Sequence, residues 1–222
     1  MCYLDLDSGR KRDWYGGARL VELMHYLEEI KIFGCEPLFC ETSRALILNT
    51  RKPPWTHTSF LTNGTLVTDR VIGALEAVRI GSVDVSLDAA TAATYERVRL
   101  RGDFAKALDG ARRLVELGRR HAIRRFSVFA DFVVQEANYR ELKSFVDLCF
   151  DTGLTPNFTI VAASPEAQRR SLLQRTGGSV RPQSFRDLND RLESALASAE
   201  GLNMGFAVRS LRRVQQQVAP PR

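Results

Sequence analysis

The chain has 222 residues, of which 44% are hydrophobic and 26% are charged, with 15 Gly and 8 Pro. This globular composition is long enough for a sizeable core and excludes a disordered tail, a collagen-like fibre and a disulfide scaffold. No apolar run approaches the roughly 20 residues that cross a bilayer, and the charged start MCYLDLDSGRKRD lacks the apolar region of a secretory signal. We therefore expect a cytoplasmic protein with no membrane partner.

The formal net charge is +6, from 32 basic and 26 acidic residues. Much of the excess lies in the last quarter of the chain, at Arg169, Arg170, Arg175, Arg181, Arg209, Arg212 and Arg213. Acidic and apolar positions interrupt these residues, and no aromatic side chain is interleaved for base stacking. The pattern predicts a solvated, Arg-rich surface rather than a nucleic-acid interface.

Short β-rich runs alternate with helical patterns along the chain. The predicted strands are Ile30–Phe33, Thr58–Leu61, Val83–Leu87, Phe126–Val134 and Phe158–Ala162. The predicted helices are Trp14–Glu28, Arg44–Asn49, Asp69–Val78, Ala92–Arg97, Phe104–His121, Tyr139–Asp151 and Pro165–Gln174. This alternation predicts an α/β fold of βα units around a parallel sheet.

Several helix ends carry recognisable signals. Asp103 precedes a helix as a plausible N-cap, and Asn138 with Glu141 three residues later predicts a capping box. Gly153 is expected to end that second helix. Cys149, within it, is expected to be a small buried apolar residue.

The chain divides by pattern into a core, residues 1–178, and a C-terminal segment, residues 179–222. Gly177–Gly178 and Pro182 mark the linker between them. The amphipathic helix Ser184–Ala199 and the Arg-rich tail follow it. This helix is a possible surface for a protein partner.

Three segments follow predicted strands, where parallel sheets place their ligands. They are FGCEPLF (Phe33–Phe39), TNGTL (Thr62–Leu66) and SLDAATAATYERVR (Ser86–Arg99). Taken singly, each is compatible with ordinary turn and capping residues. Their order and spacing together are far more specific.

In this order the segments resemble the radical S-adenosylmethionine (radical SAM) superfamily, and its SPASM-associated branch in particular. Phe33–Phe39 is similar to the GGEPL motif of that family's second strand, and Thr62–Leu66 matches its TNGTL element. Ser86–Arg99 is similar, almost letter for letter, to the family pattern S-[IL]-D-A-A-T-x-x-T-Y-E-x-[IV]-R. The resemblance covers roughly residues 1–163, including FVVQEANYRELKSFVDLCFDTGL.

The resemblance implies a partial (β/α)6 TIM-like barrel, lacking its first strand here and followed by C-terminal helices. It further implies S-adenosylmethionine bound at the carboxyl ends of the strands. The residues that it assigns to this cofactor are Gly34, Cys35, Glu36, Pro37, Asn63, Ser86 and Arg99.

Their implied roles differ along the chain. The segment from Gly34 to Pro37 would line the amino end of the methionyl group, with Glu36 either meeting the ammonium or fixing the loop. Asn63 would orient a strand end, structurally or by touching the ligand. Ser86 would meet the ribose or the carboxylate, and Arg99 the carboxylate.

Two aspartates have other expected roles. Asp88 is expected to hold the turn that contains it. Asp131 could meet substrate inside the barrel or pair with an Arg of a neighbouring strand.

The family also binds a [4Fe–4S] cluster through C-x3-C-x2-C, and reduction of the cluster cleaves S-adenosylmethionine to a 5′-deoxyadenosyl radical. Met1-Cys2-Tyr3 resembles the end of this motif, so Cys2 is the one metal ligand assigned here. Cys35 and Cys40 are too few to form a metal site alone. We expect that the sequence begins inside the motif and that, as given, it is inactive because two cluster cysteines are missing.

Three hypotheses follow. The first is a radical SAM enzyme, starting further upstream, that modifies an unknown small-molecule or peptide substrate. The second is a non-catalytic, degenerate or truncated member that acts as a binding or interaction protein. The third is an unrelated βα protein, against which the run Ser86–Arg99 argues.

Overall fold

The computed structural model describes residues 23–34, 36–123, 125–160 and 182–218. The strands are β1 (Glu29–Ile32), β2 (His57–Thr62), β3 (Ile80–Ser86), β4 (Ser127–Val134) and β5 (Thr155–Ile160). The helices are α1 (Glu41–Ile47), α2 (Asp69–Leu75), α3 (Ala92–Val98), α4 (Phe104–Arg120), α5 (Leu142–Thr152), α6 (Pro182–Gly201) and α7 (Gly205–Val218). Short 3-10 turns occupy Met24–Tyr26 and Tyr139–Glu141.

The five strands form one sheet in the order β1-β2-β3-β4-β5. The pairs β1–β2, β2–β3 and β4–β5 are parallel. Parallel neighbours require crossover connections, which the helices between successive strands provide. The α/β prediction is therefore confirmed. Among the described residues, no helix is both long and apolar enough to cross a membrane.

The chain divides into two compact units. The first comprises Met1–Val85 and Lys106–Val128, and the second comprises Ser86–Ala105 and Phe129–Arg222. The predicted boundary at residue 178 lies outside the described residues and stays a prediction.

In the first unit, α4 packs closely against the turn after β2. Gly64 in that turn has φ +79°, and a Cβ on Gly110 of α4 would lie 2.0 Å from the Gly64 carbonyl oxygen. Glycine at both positions lets the two backbones approach this closely. Apolar side chains of this helix are buried, at Ala107, Leu108, Ala111, Leu114 and Val115.

The pairing of β2 with β3 contains a bulge. Thr58 pairs with Ile80 and Phe60 with Val83, so that Ser59 alone faces Gly81 and Ser82. The Ser59 hydroxyl oxygen accepts a hydrogen bond from the Ser82 amide at 3.0 Å, so this amide has a partner at the bulge.

In the second unit, aromatic rings form the core between β4, β5 and α5. Phe132, Phe145 and Phe158 contact one another with ring centroids 4.7 to 5.8 Å apart. Such tilted and edge contacts add to the burial of large apolar surfaces. As predicted, Gly153 ends α5 in the left-handed region, with φ +76°.

Helix α6 contains the segment that the sequence suggested as a surface for a protein partner. Much of its apolar stripe is buried within the second unit. Leu188, Leu192 and Ala199 of α6 are at most 3% exposed. A partner would therefore have to contact a different face of α6.

Some predicted elements are wrong in extent. In place of the last residues of the predicted helix Trp14–Glu28 there is a 3-10 turn, because Leu27 already has extended backbone leading into β1. β5 begins at Thr155 rather than at Phe158. The strand includes Pro156, which lacks a backbone N–H but is tolerated because β5 is the terminal strand of the described sheet. The predicted helix Pro165–Gln174 lies outside the described residues.

Candidate functional site

In the first unit, Glu36 connects the carboxyl ends of β1 and β2. Its carboxylate accepts hydrogen bonds from Thr62 Oγ1 at 2.8 Å, the Asn63 amide at 2.7 Å and the Leu38 amide at 3.2 Å. Of the two roles that the resemblance left open, the structure shows the loop-fixing one.

Asn63 holds the turn that follows β2. Its Oδ1 accepts hydrogen bonds from the amide of Thr65 at 2.9 Å and from the Thr65 hydroxyl at 2.7 Å. The Gly64 amide donates to Thr62 Oγ1 at 3.1 Å in the same turn. Asn63 therefore has a structural role in this turn, whose shape its side chain determines.

Gly34 presents open backbone at the end of β1. It has φ +95°, and among the described residues beyond its chain neighbours a Cβ at this position would meet no atom within 4 Å. The missing side chain of Gly34 therefore leaves room for a ligand beside its backbone. Pro37 is buried, whereas Cys35 lies outside the described residues, as does Cys2.

In the second unit, Asp88 ties the end of β3 to β4, as predicted. It is 4% exposed, has φ +56°, and its amide donates to the Asp131 carbonyl at 3.0 Å. Asp88 Oδ1 accepts the Val133 amide at 2.7 Å, and its carbonyl accepts Asn138 Nδ2 at 2.8 Å. These hydrogen bonds of the backbone and side chain of Asp88 stabilise its positive φ, which is otherwise disfavoured.

Arg99 contacts Asp88 through one edge of its guanidinium. Nη2 donates to Asp88 Oδ2 at 2.6 Å, while Nε is buried and has no hydrogen-bond partner in the described part of the chain. A buried donor without an acceptor is costly, so this nitrogen suits an added oxygen ligand. Ser86, the last residue of β3, is half-buried and its hydroxyl bonds to no other described side chain.

Glu141 reaches the turn after β3 from the connection that follows β4. Its carboxylate accepts the amides of Ala90 at 2.7 Å and Thr91 at 3.2 Å, and the Thr91 hydroxyl at 2.6 Å. The Thr91 hydroxyl in turn accepts the Thr94 amide at 3.4 Å and caps α3.

The capping box predicted for Asn138 and Glu141 is therefore wrong. Neither side chain caps the helix that follows. The Glu141 carboxylate binds the turn after β3, and Asn138 Oδ1 accepts the Gln135 amide at 2.9 Å while its Nδ2 donates to the Asp88 carbonyl. Their occurrence in the family-like segment FVVQEANYRELKSF was the signal that could have revealed this role.

Asp131 is half-buried on β4, and its Oδ1 accepts Asn157 Nδ2 of β5 at 2.8 Å. This oxygen of Asp131 therefore bonds to a side-chain amide of the neighbouring strand. Contact with a substrate stays a prediction.

A cavity of about 760 Å³ in the second unit lies between α3 and the connection after β4. Its walls are Thr94, Arg97, Val98, Leu100, Gln135, Glu136, Ala137, Arg140 and Glu141. Two of its charged groups are already used within the protein, because Arg97 donates to the Ala137 carbonyl and Glu141 binds the turn after β3.

Within the described ranges, no group of three His, Cys, Asp or Glu side chains could hold a metal ion. Cys40 is exposed. Cys149 is buried as predicted, and burial raises the pKa of its thiol well above the ordinary value.

Comparison with known proteins gives a consistent result. Residues 10–158 match the model of the Radical SAM superfamily. The chain is 28% identical over 132 residues to GTP 3′,8-cyclase of Petrotoga mobilis (strain DSM 10674 / SJ95), which covers 60% of this chain and 39% of that protein.

Two solved structures share the fold. Streptococcus suis SuiB bound to S-adenosylmethionine has a TM-score of 0.62 at 13% identity, over 86% of this chain and 43% of SuiB. SuiB bound to its precursor peptide SuiA has a TM-score of 0.56 at 15% identity, over 83% of this chain and 39% of SuiB. The chain thus spans about two fifths of the length of these relatives.

These likenesses confirm the predicted fold of a partial TIM-like barrel. The superfamily uses S-adenosylmethionine together with a [4Fe–4S] cluster. The family match covers two thirds of the sequence and contains all three segments that follow β1, β2 and β3. The chain therefore belongs to the radical SAM superfamily.

Proposed function

We propose that this chain binds S-adenosylmethionine and contributes to its reductive cleavage to methionine and a 5′-deoxyadenosyl radical, which modifies a substrate. The observation that carries the proposal is the family match across residues 10–158, since it includes all three segments at strand ends.

In the first unit, we assign Gly34, Cys35, Glu36 and Pro37 to the amino end of the methionyl group. The open backbone at Gly34 supports this assignment. Glu36 acts by holding the segment against the end of β2, and Asn63 acts by shaping the turn beside it.

In the second unit, we assign Ser86 to a ribose or carboxylate oxygen and Arg99 to the carboxylate. The buried Arg99 Nε supports this assignment, because a carboxylate oxygen would supply its missing acceptor. Asp88 holds the other edge of the guanidinium and so determines its orientation.

Cys2 is the residue assigned to the iron–sulfur cluster. When bound, the cluster of this superfamily would supply the electron for cleavage of S-adenosylmethionine. The chain's own residues bind and orient the methionyl and ribose groups.

The substrate stays open between a small molecule and a peptide. The name of the Petrotoga relative specifies a nucleotide reaction, and a SuiB structure contains a precursor peptide. Each name describes that protein alone.

Two measurements test the proposal. Equilibrium dialysis with labelled S-adenosylmethionine tests binding, and chromatography after anaerobic reconstitution and dithionite reduction tests 5′-deoxyadenosine formation. We expect Arg99→Gln to weaken binding by about 10- to 100-fold, the usual weight of a charged hydrogen bond. Arg119→Gln, an exposed change on α4, serves as the matched control.

Absence of S-adenosylmethionine binding by the folded protein would overturn the cofactor assignment. Binding without 5′-deoxyadenosine, in protein shown by iron analysis to hold a [4Fe–4S] cluster, would contradict the reaction and support the non-catalytic alternative.

A further inference from the structure

One face of β1, β2 and β3 in the first unit is polar. It carries Glu29 and Lys31 on β1, His57 and Ser59 on β2, and Asp84 on β3, with the apolar Leu61 of β2 in register beside Asp84. The register places Glu29 beside His57 and Lys31 beside Ser59. Side chains that alternate with these, at Phe60, Val83 and Val85, are fully buried. The sheet thus has an apolar face and a polar face, as alternation along strands requires.

Most groups on the polar face have partners within it. Glu29 accepts the Ser59 hydroxyl at 2.7 Å and lies 3.3 Å from Lys31 Nζ and 3.7 Å from His57 Nε2. Burial alone would raise the pKa of Glu29, but hydrogen bonds from Ser59 and Lys31 hold it below its ordinary value.

Asp84 differs from these neighbours. Its carboxylate is half-buried and forms no hydrogen bond with another residue in the described part of the chain. Burial raises the pKa of Asp84, the Lys31 ammonium lowers it, and the Glu29 carboxylate raises it again. Lys31 forms its ion pair with Glu29 and acts on Asp84 only from a greater distance, so among the described residues Asp84 is the carboxylate of this face with no hydrogen bond or ion pair of its own.

The position of Asp84 relates it to the proposed cofactor residues. Asp84 and Ser86 are alternate residues of β3, so their side chains lie on the same face of the strand, about 7 Å apart. The bulge at Gly81–Ser82 lies just before Asp84 and is held by Ser59. Bulges of this kind re-aim the side chains that follow them.

We propose that Asp84 binds a positively charged nitrogen of the substrate, an ammonium or a guanidinium, on this polar face. Glu29, Lys31, His57 and Ser59 contact one another, whereas the Asp84 carboxylate is available to accept a hydrogen bond from a ligand. This inference rests on the proposed function, because it places the substrate beside the strand ends assigned to the cofactor.

The test uses capped pentapeptides, Gly-Gly-X-Gly-Gly with X as Lys, Arg, Gln or Glu, titrated into the folded chain and followed by NMR. We expect the Lys and Arg peptides to bind about 10-fold more tightly than the Gln peptide, as for one charge-assisted hydrogen bond. Asp84→Asn should abolish that preference. Asp151→Asn, which removes the same charge from an exposed site on α5, should preserve it.

A preference that survives in Asp84→Asn, or its absence from the unmodified protein, would overturn the inference. Asp84→Ser provides a second variant if Asp84→Asn does not fold, with circular dichroism as the check.

Labelled S-adenosylmethionine binding, measured without peptide, separates this proposal from the preceding one. We expect Asp84→Asn to leave that binding unchanged. Failure of the unmodified, folded protein to bind S-adenosylmethionine would count against the proposed function, whereas the peptide preference tests Asp84 independently.

Discussion

Arg99 Nη2 donates to Asp88 Oδ2 at 2.6 Å, in an ion pair whose side chains are 17% and 6% exposed. The other oxygen of Asp88 accepts the Val133 amide. One carboxylate therefore holds both a backbone strand and a side chain assigned to the cofactor.

Asp88→Ala should lower the free energy of unfolding by about 3 kcal/mol or more, because it leaves a largely buried guanidinium without its counter-ion. Urea denaturation provides the measurement. Asp109→Ala on the exposed surface of α4 should cost much less and serves as the control.

Asp88→Asn should have a smaller effect, about 1 to 2 kcal/mol. An amide oxygen still accepts the Val133 amide, and Asn tolerates the positive φ of this position. Equal losses in the Ala and Asn variants would contradict the role assigned to the carboxylate.

Glu36→Gln should lower stability by about 1 to 3 kcal/mol, because the side chain loses its charge and turns an NH2 group toward a network of donors. Weaker S-adenosylmethionine binding should accompany this loss, since the segment at Gly34 is no longer held. Thermal melts and equilibrium dialysis measure the two effects. Glu41→Gln, exposed in α1, should change neither quantity.

Two glycine substitutions in helices should have opposite effects. Gly110→Ala places a Cβ 2.0 Å from the Gly64 carbonyl oxygen, so we expect a loss of about 2 kcal/mol or more. In Gly73→Ala of α2, the new Cβ meets no atom within 4 Å in the described part of the chain, so this change should raise stability by about 0.5 to 1 kcal/mol. Denaturation of both variants, under one set of conditions, tests this packing. A neutral Gly110→Ala variant would contradict it.

The burial of Lys52 in the first unit should make the stability of the protein depend on pH. Burial lowers the pKa of Lys52 from 10.5 to about 8, although its Nζ donates to the Ile47 carbonyl at 3.1 Å and to Thr58 Oγ1 at 2.5 Å. Between these pKa values the unfolded chain binds more protons, so the contribution of Lys52 to stability rises with pH.

The stability difference between the unmodified protein and Lys52→Met should therefore change in favour of the unmodified protein from about pH 8 to pH 10.5. Taking this difference cancels the titration of other groups, including Cys149. Thermal melts across that range measure it, and a difference independent of pH would refute the assignment.

Much of the architecture could be predicted from local patterns. The strand and helix alternation, the stop at Gly153 and the burial of Cys149 depend on nearby residues, and all are present. The three segments after β1, β2 and β3 also predicted the family correctly.

Contacts between distant residues were harder to predict. Glu141 bonds to Ala90, 51 residues away, and sequence spacing favoured a local capping box instead. The surroundings of the Asp84 carboxylate depend on the register of β1, β2 and β3, which no short pattern specifies. Membership of the SPASM-associated branch, the cytoplasmic location and the substrate stay predictions.

The bond between Glu141 and the turn after β3 also has a consequence for folding order. The Ala90 and Thr91 amides obtain their acceptor only after the chain has been synthesised through residue 141. Closing so long a loop has an entropic cost that local helices avoid. We therefore expect this turn, which orients Asp88, to reach its final hydrogen bonding late, after α3 and α4 have formed.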